Sequence, residues 1–176
     1  MPAPNFLITS TGRTATKWLA AQMGVAHEPE RFDRRAVSPR HLWLWTHEGW
    51  RPPSPVAYGV VIRDPVEQLR SVKRRAKALG SPGRVQVYKD NMTTYLGALG
   101  HMTRNLGAVV LRYEEMTTDP TYLERIAEHF GCELTGRFKE RLNVFEGRES
   151  AITDAEVTFC SNIRKVYEAW HQTHGM

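Results

Sequence analysis

Cysteine is scarce in this chain. Only Cys132 and Cys160 occur, far apart and with no metal-ligand spacing around either. That excludes a disulfide framework and fits a reduced intracellular protein, although the spacing also allows one bridge between the two. No apolar run approaches the ~20 residues that a membrane-spanning helix needs. The first residues, Met-Pro-Ala-Pro-Asn, lack the basic segment and long apolar core of a secretory signal, so a cytoplasmic location is expected. No internal repeat, low-complexity tract or domain linker is visible. At 176 residues the chain fits one domain, 1–176. A chain of this length can bury roughly two thirds of its unfolded surface.

What is present in excess is positive charge. The formal net charge is +5 and the pI is near 9.4, which favours an anionic ligand or partner without specifying it. Arg70, Lys73, Arg74, Arg75, Lys77 and Arg84 supply a local cluster, in which Arg70, Arg74 and Lys77 are spaced to share one helical face. A solvated helix face is the first reading of that cluster and an acidic small ligand or acceptor the second. Nucleic acid comes last, because no aromatic interleaving or recognised nucleic-acid module accompanies it.

Hydrophobic patterning predicts strands over residues 6–9, 41–46, 56–62 and 107–111, the second of them weak. Helices are expected over 16–23, 66–79 with Pro65 at its opening, 86–102, and 120–130 with Asp119-Pro120 at entry and Gly131 at exit. A polar turn is read at His27-Glu28-Pro29-Glu30 and a loop at Pro52, Pro53 and Pro55. Thr153-Asp154-Ala155-Glu156 reads as a capping box that opens a last helix running to about residue 171. Strands alternating with helices imply an α/β fold, a three-layer sandwich around a central parallel sheet, with ligands at the carboxyl ends of the strands.

The stretch from Asn5 to Leu19 is the most informative. An apolar strand runs into a hydroxyl-rich, basic turn and directly into a helix. N–H groups at a helix start and the positive end of its dipole favour a phosphate or sulfate group, and the hydroxyls of Thr11, Thr14 and Thr16 can add hydrogen bonds. The stretch departs from the nucleotide-triphosphatase loop: Lys17 follows Gly12 by five residues, without the second Gly or the Ser/Thr after the Lys. Taken alone, it also admits a lesser reading, the buried edge of a core with an ordinary helix start at Thr14 or Thr16.

Two further segments accompany it. Arg63-Asp64-Pro65 follows the strand at 56–62, with Ser71 eight residues beyond Arg63, and Leu111-Arg112-Tyr113-Glu114-Glu115 precedes the helix at 120–130. The run Gly12-Arg13-Thr14-Ala15-Thr16-Lys17-Trp18-Leu19 resembles the 5'-phosphosulfate-binding loop of the sulfotransferases that use 3'-phosphoadenosine 5'-phosphosulfate (PAPS). Arg63 with Ser71 resembles the pair that grips the 3'-phosphate there, and Arg112-Tyr113-Glu114 resembles a segment whose tyrosine lines the nucleotide site. The likeness covers about residues 5–131, in family order, and is that of a small bacterial or phage-like member.

The resemblance implies a P-loop-like phosphosulfate-binding loop and metal-independent, in-line transfer of a sulfuryl group from PAPS to a hydroxyl or amine, with PAP as product. It implies that Gly12, Arg13, Thr14, Ala15, Thr16 and Lys17 hold the 5'-phosphosulfate, that Arg13 stabilises the leaving group, and that Trp18 contacts adenine. It further implies that Arg63 and Ser71 hold the 3'-phosphate and that Tyr113 lines the site. Two residues match positions that serve as general base in different members: Glu28, which is favoured, and His47. The family's closing segment near the C-terminus, usually Arg-Lys-Gly followed by Gly and Trp, has no counterpart; Arg148 or Arg164-Lys165 lie in that region without matching its spacing. A short chain leaves little protein to roof the acceptor, a small molecule or carbohydrate. The alternatives are a P-loop kinase and a catalytically inactive PAP-binding interaction protein.

Overall fold

Five consecutive buried residues, Phe6–Ser10, form β1 at the centre of a parallel sheet. Burial of every residue of a strand requires cover on both faces, which is the situation of a central strand in an α/β protein. The computed structural model describes residues 6–11, 15–27, 34–36, 57–136 and 150–176. Among these, β1 is followed by α1 (Thr16–Gln22), β2 (Ala26–His27), β3 (Arg34–Ala36), β4 (Ala57–Ile62), α2 (Pro65–Ala78) and α3 (Gly83–Asn105). Then come β5 (Val109–Arg112), α4 (Tyr113–Thr118), α5 (Pro120–His129) and α6 (Asp154–His174). The strand order is β2-β3-β1-β4-β5, with every pair parallel.

Successive side chains of a strand point to opposite faces, and here each face has its own core. Leu7, Val60, Ile62 and Val110 pack with Met92, Leu99 and Met102 of α3 and with Ile163, Tyr167 and Trp170 of α6. Phe6, Ile8, Val61 and Leu111 pack with Leu19 of α1, Met23 just after it, Met116 of α4, Leu123 and Ile126 of α5, and Phe130. Phe130 needs Gly59 beneath it, since a Cβ at that position would lie 2.9 Å from its ring. The last residues cover the outer edge of β5, where Gly175 bridges Val110. No described helix is long and apolar enough to cross a membrane.

Local chemistry explains most helix boundaries. The Asp64 carboxylate accepts from the amides of Val66 and Glu67 at 3.0 and 3.1 Å, with Pro65 in the first turn of α2. Asp119 does the same for Thr121 at the start of α5, and Thr153 with Glu156 forms the expected capping box of α6. α1 is different: its N-cap is Ala15, which has no side chain to offer and adopts φ +61°.

Three elements depart from the patterning. His27, read as part of a polar turn, ends the two-residue strand β2, and β3 appears at Arg34–Ala36. Strands this short hold through parallel pairing with a neighbour and carry no periodicity of their own. The six residues of α4 were read without a helix for the same reason. The strand expected at 41–46 and the loop at Pro52, Pro53 and Pro55 lie outside the described residues.

Candidate functional site

β1 and β4 lie side by side with Ser10 opposite Val61, so the chain leaves the sheet at two adjacent points, Thr11 and Arg63. From β1 it turns through α1 toward β2 and β3, on the face that carries Phe6. From β4 it turns through α2 and α3 toward β5, on the opposite face. Two connections diverging from neighbouring strands open a crevice between their carboxyl ends, the place where open parallel sheets bind ligands.

Arg63 stands at that crevice. It is 6% exposed, and its guanidinium lies over the Tyr113 ring at 4.2 Å from the centroid. The ring face beside the guanidinium adds a cation–π attraction that helps to hold the group in place. A cleft of about 280 Å³ opens beside Arg63 at the ends of β4 and β5 and against α6, lined by Arg63, Arg112 and Arg164 and by Asp64, Glu114, Glu115 and Glu168. Several of those carboxylates have partners of their own. Arg164 Nη2 donates to Asp64 Oδ2 at 2.6 Å, the Asp64 amide donates to Glu114 Oε1 at 2.9 Å, and Arg112 lies 3.7 Å from Glu115.

α2 packs on α3 and α6 and reaches Thr11, the residue after β1. There Gln68 Nε2 donates to Thr11 Oγ1 at 2.6 Å. Ser71, one turn beyond Gln68 on the same side of the helix, is 5% exposed. Arg63 and Tyr113 are thus in contact, and Ser71 lies on the buried side of α2.

Thr11 has a different role from the one expected of it. Its hydroxyl turns inward: besides Gln68 it meets the Tyr167 hydroxyl at 2.9 Å, and Thr11 itself is 1% exposed. Burial raises the Tyr167 phenol well above its ordinary range, against a smaller lowering by the Thr11 hydrogen bond, so it stays protonated and able to donate. On the other side of the loop, Ala15 is buried, Thr16 half-buried and Lys17 exposed. Trp18 is half-buried and packs against the core around Leu19, so part of its indole serves packing. Gly12, Arg13, Thr14, Glu28, His47 and Arg148 lie outside the described residues.

Gln68 and Tyr167 carry no sequence signal, because each is an ordinary residue on an amphipathic helix until the fold brings it to Thr11. Arg164 was visible as a cation, but its approach to Asp64 was not. Cys132 and Cys160 are not joined in a disulfide, and burial pushes the Cys160 thiol up to about 11, which keeps it from acting as a thiolate. No protein-family model matches the chain, and no curated protein matches it either.

Proposed function

We propose that the chain is a sulfotransferase that moves a sulfuryl group from PAPS to a hydroxyl or amine of an acceptor and releases PAP. The observation that carries this is the adjacency of Thr11, after which the Gly12–Lys17 stretch begins, and of Arg63 beside the Tyr113 ring, at the ends of hydrogen-bonded strands, with Gln68 of α2 bonded to Thr11. A nucleotide with phosphates at both the 5' and 3' positions requires two such points; one triphosphate chain requires only one. Arg63 and Ser71 would hold the 3'-phosphate, and Tyr113 would keep the guanidinium oriented.

In the transfer, an acceptor oxygen or nitrogen forms a bond to sulfur as the bond from sulfur to the bridging phosphate oxygen breaks. Negative charge passes to the 5'-phosphate, where Arg13 would stabilise it, and the acceptor's proton passes to a base. Gly12 to Lys17 would hold that phosphate and Trp18 would border the adenine. Glu28 is the base on this reading and His47 the alternative. Comparing the pH profiles of Glu28→Gln and His47→Ala separates them, because the true base is the one whose loss removes the limb of the profile it creates.

Thermal-shift measurements with PAP, PAPS and ATP plus magnesium test the whole proposal. PAP is expected to stabilise the protein, by about 2.7 kcal/mol at a hundredfold excess over its Kd. Stabilisation by ATP and magnesium alone would leave the kinase reading in its place. Binding of PAP with no sulfation across a panel of phenols, sugars and amines would favour a nucleotide-binding interaction protein.

A further inference from the structure

Four carboxylates, Asp64, Glu114, Glu115 and Glu168, line the cleft beside Arg63, against three arginines, Arg63, Arg112 and Arg164. That surplus matters, because an anion approaching Arg63 meets every negative charge that the protein leaves uncompensated nearby. Asp64 is the closest of the four in sequence, and its place is fixed. Its Oδ1 accepts from the Val66 and Glu67 amides at 3.0 and 3.1 Å, and its own amide donates to Glu114 Oε1 at 2.9 Å. As the N-cap of α2, its side chain cannot swing away without uncapping the helix.

Compensation comes from 100 positions further along the chain. Arg164 of α6 donates from Nη2 to the second oxygen, Asp64 Oδ2, at 2.6 Å, so both oxygens of the carboxylate are engaged. Glu168, one turn beyond Arg164 on α6, further favours the charge on Arg164. The side chains of Arg164 and Asp64 are 44% and 34% exposed. An ion pair as open as that contributes little to stability, and the cap of α2 is made by the other oxygen. Its consequence is local: it cancels a fixed negative charge at the residue next to Arg63.

We propose that Arg164 makes the cleft receptive to a phosphate dianion by neutralising Asp64, and that it acts as a positioning residue rather than as a ligand of the phosphate. The inference rests on the nucleotide reading above, in which Arg63 meets the 3'-phosphate. It adds the reason why a cleft with more carboxylates than arginines accepts that group at all. The substitution Asp64→Asn isolates the effect, because an asparagine side chain still caps a helix while the charge is gone.

The test is calorimetric titration of the full chain, at low and at high salt, with adenosine 3',5'-bisphosphate and adenosine 5'-phosphate, and with thermal melts to confirm that each variant is folded. Arg164→Gln is expected to weaken the bisphosphate by roughly fivefold at low salt and by less at high salt, while adenosine 5'-phosphate changes little. Adding Asp64→Asn to that variant is expected to return the bisphosphate affinity to its original value, and Asp64→Asn alone to raise it. A residue that touched the phosphate, or one that only packed, would leave a deficit in the double variant. Unchanged bisphosphate affinity in Arg164→Gln, equal weakening of both ligands, or a loss that Asp64→Asn does not repair overturns the inference and leaves the nucleotide reading intact. Failure of the unsubstituted protein to bind the bisphosphate overturns both, and is seen before any variant is made.

Discussion

Arg63→Ala is expected to lower the affinity for PAP by roughly 100-fold, or about 2.7 kcal/mol, while affinity for adenosine 5'-phosphate changes little. The guanidinium is 6% exposed and faces the Tyr113 ring at 4.2 Å, so an anion reaching it meets a charge already oriented and shielded from bulk water. Charge-assisted hydrogen bonds are strongest in such surroundings, because the low local dielectric screens them least. Arg63→Lys should retain part of the binding: the charge stays, but the planar fork and its stacking are lost. Truncating a buried side chain also disturbs packing, and the two ligands separate the effects. A packing defect weakens both, whereas loss of a 3'-phosphate contact weakens only PAP. Titration of both ligands decides it, and equal affinities for PAP in wild type and Arg63→Ala would remove Arg63 from the site.

Glu156→Gln should destabilise the fold by roughly 3 kcal/mol at neutral pH, with a correspondingly lower Tm. Glu156 is the point at which three helices are tied together. Its carboxylate takes Lys73 of α2 at 2.7 Å, Lys89 of α3 at 2.8 Å and the Thr153 amide at 3.0 Å. Lys73 in turn reaches the Ala151 carbonyl at 2.6 Å. Burial alone would raise this carboxyl, but the two ammonium groups and the amide outweigh it and bring the pKa from 4.5 down to about 2. A depressed carboxyl pKa contributes stability that is fully present above about 4.5 and is lost as pH falls through about 2. The glutamine variant has no such proton to bind. Urea unfolding should therefore show a gap between wild type and variant at pH 7 that shrinks by more than half at pH 3. A gap that is absent at pH 7, or constant with pH, would falsify the tie.

The two effects are linked through α2. Lys73 holds its middle to α6, and Gln68, five residues earlier, donates to Thr11 just after β1. Weakening the Glu156 tie loosens the helix that carries Gln68 and Ser71, both buried.

Much of the architecture is written in short-range chemistry. The apolar runs of β1 and β4, the Asp64-Pro65 and Asp119-Pro120 helix openings and the Thr153–Glu156 box are each decided within a few residues, so patterning alone locates them. The same locality accounts for Arg63, Ser71 and Tyr113, which stand at fixed offsets from strand ends. The pieces that escaped have no local period: two- and three-residue strands, and a six-residue helix between β5 and α5. Strand order and the approach of α2 to Thr11 were decided only when distant segments packed. So were the meeting of Gln68 and Tyr167 at Thr11, of Arg164 at Asp64, and of Lys73 and Lys89 at Glu156. Hydrogen bonds and ion pairs between residues many tens of positions apart depend on which helix face reaches which strand end. The burial of two cores on opposite sides of one sheet determines that, and no window of sequence contains it.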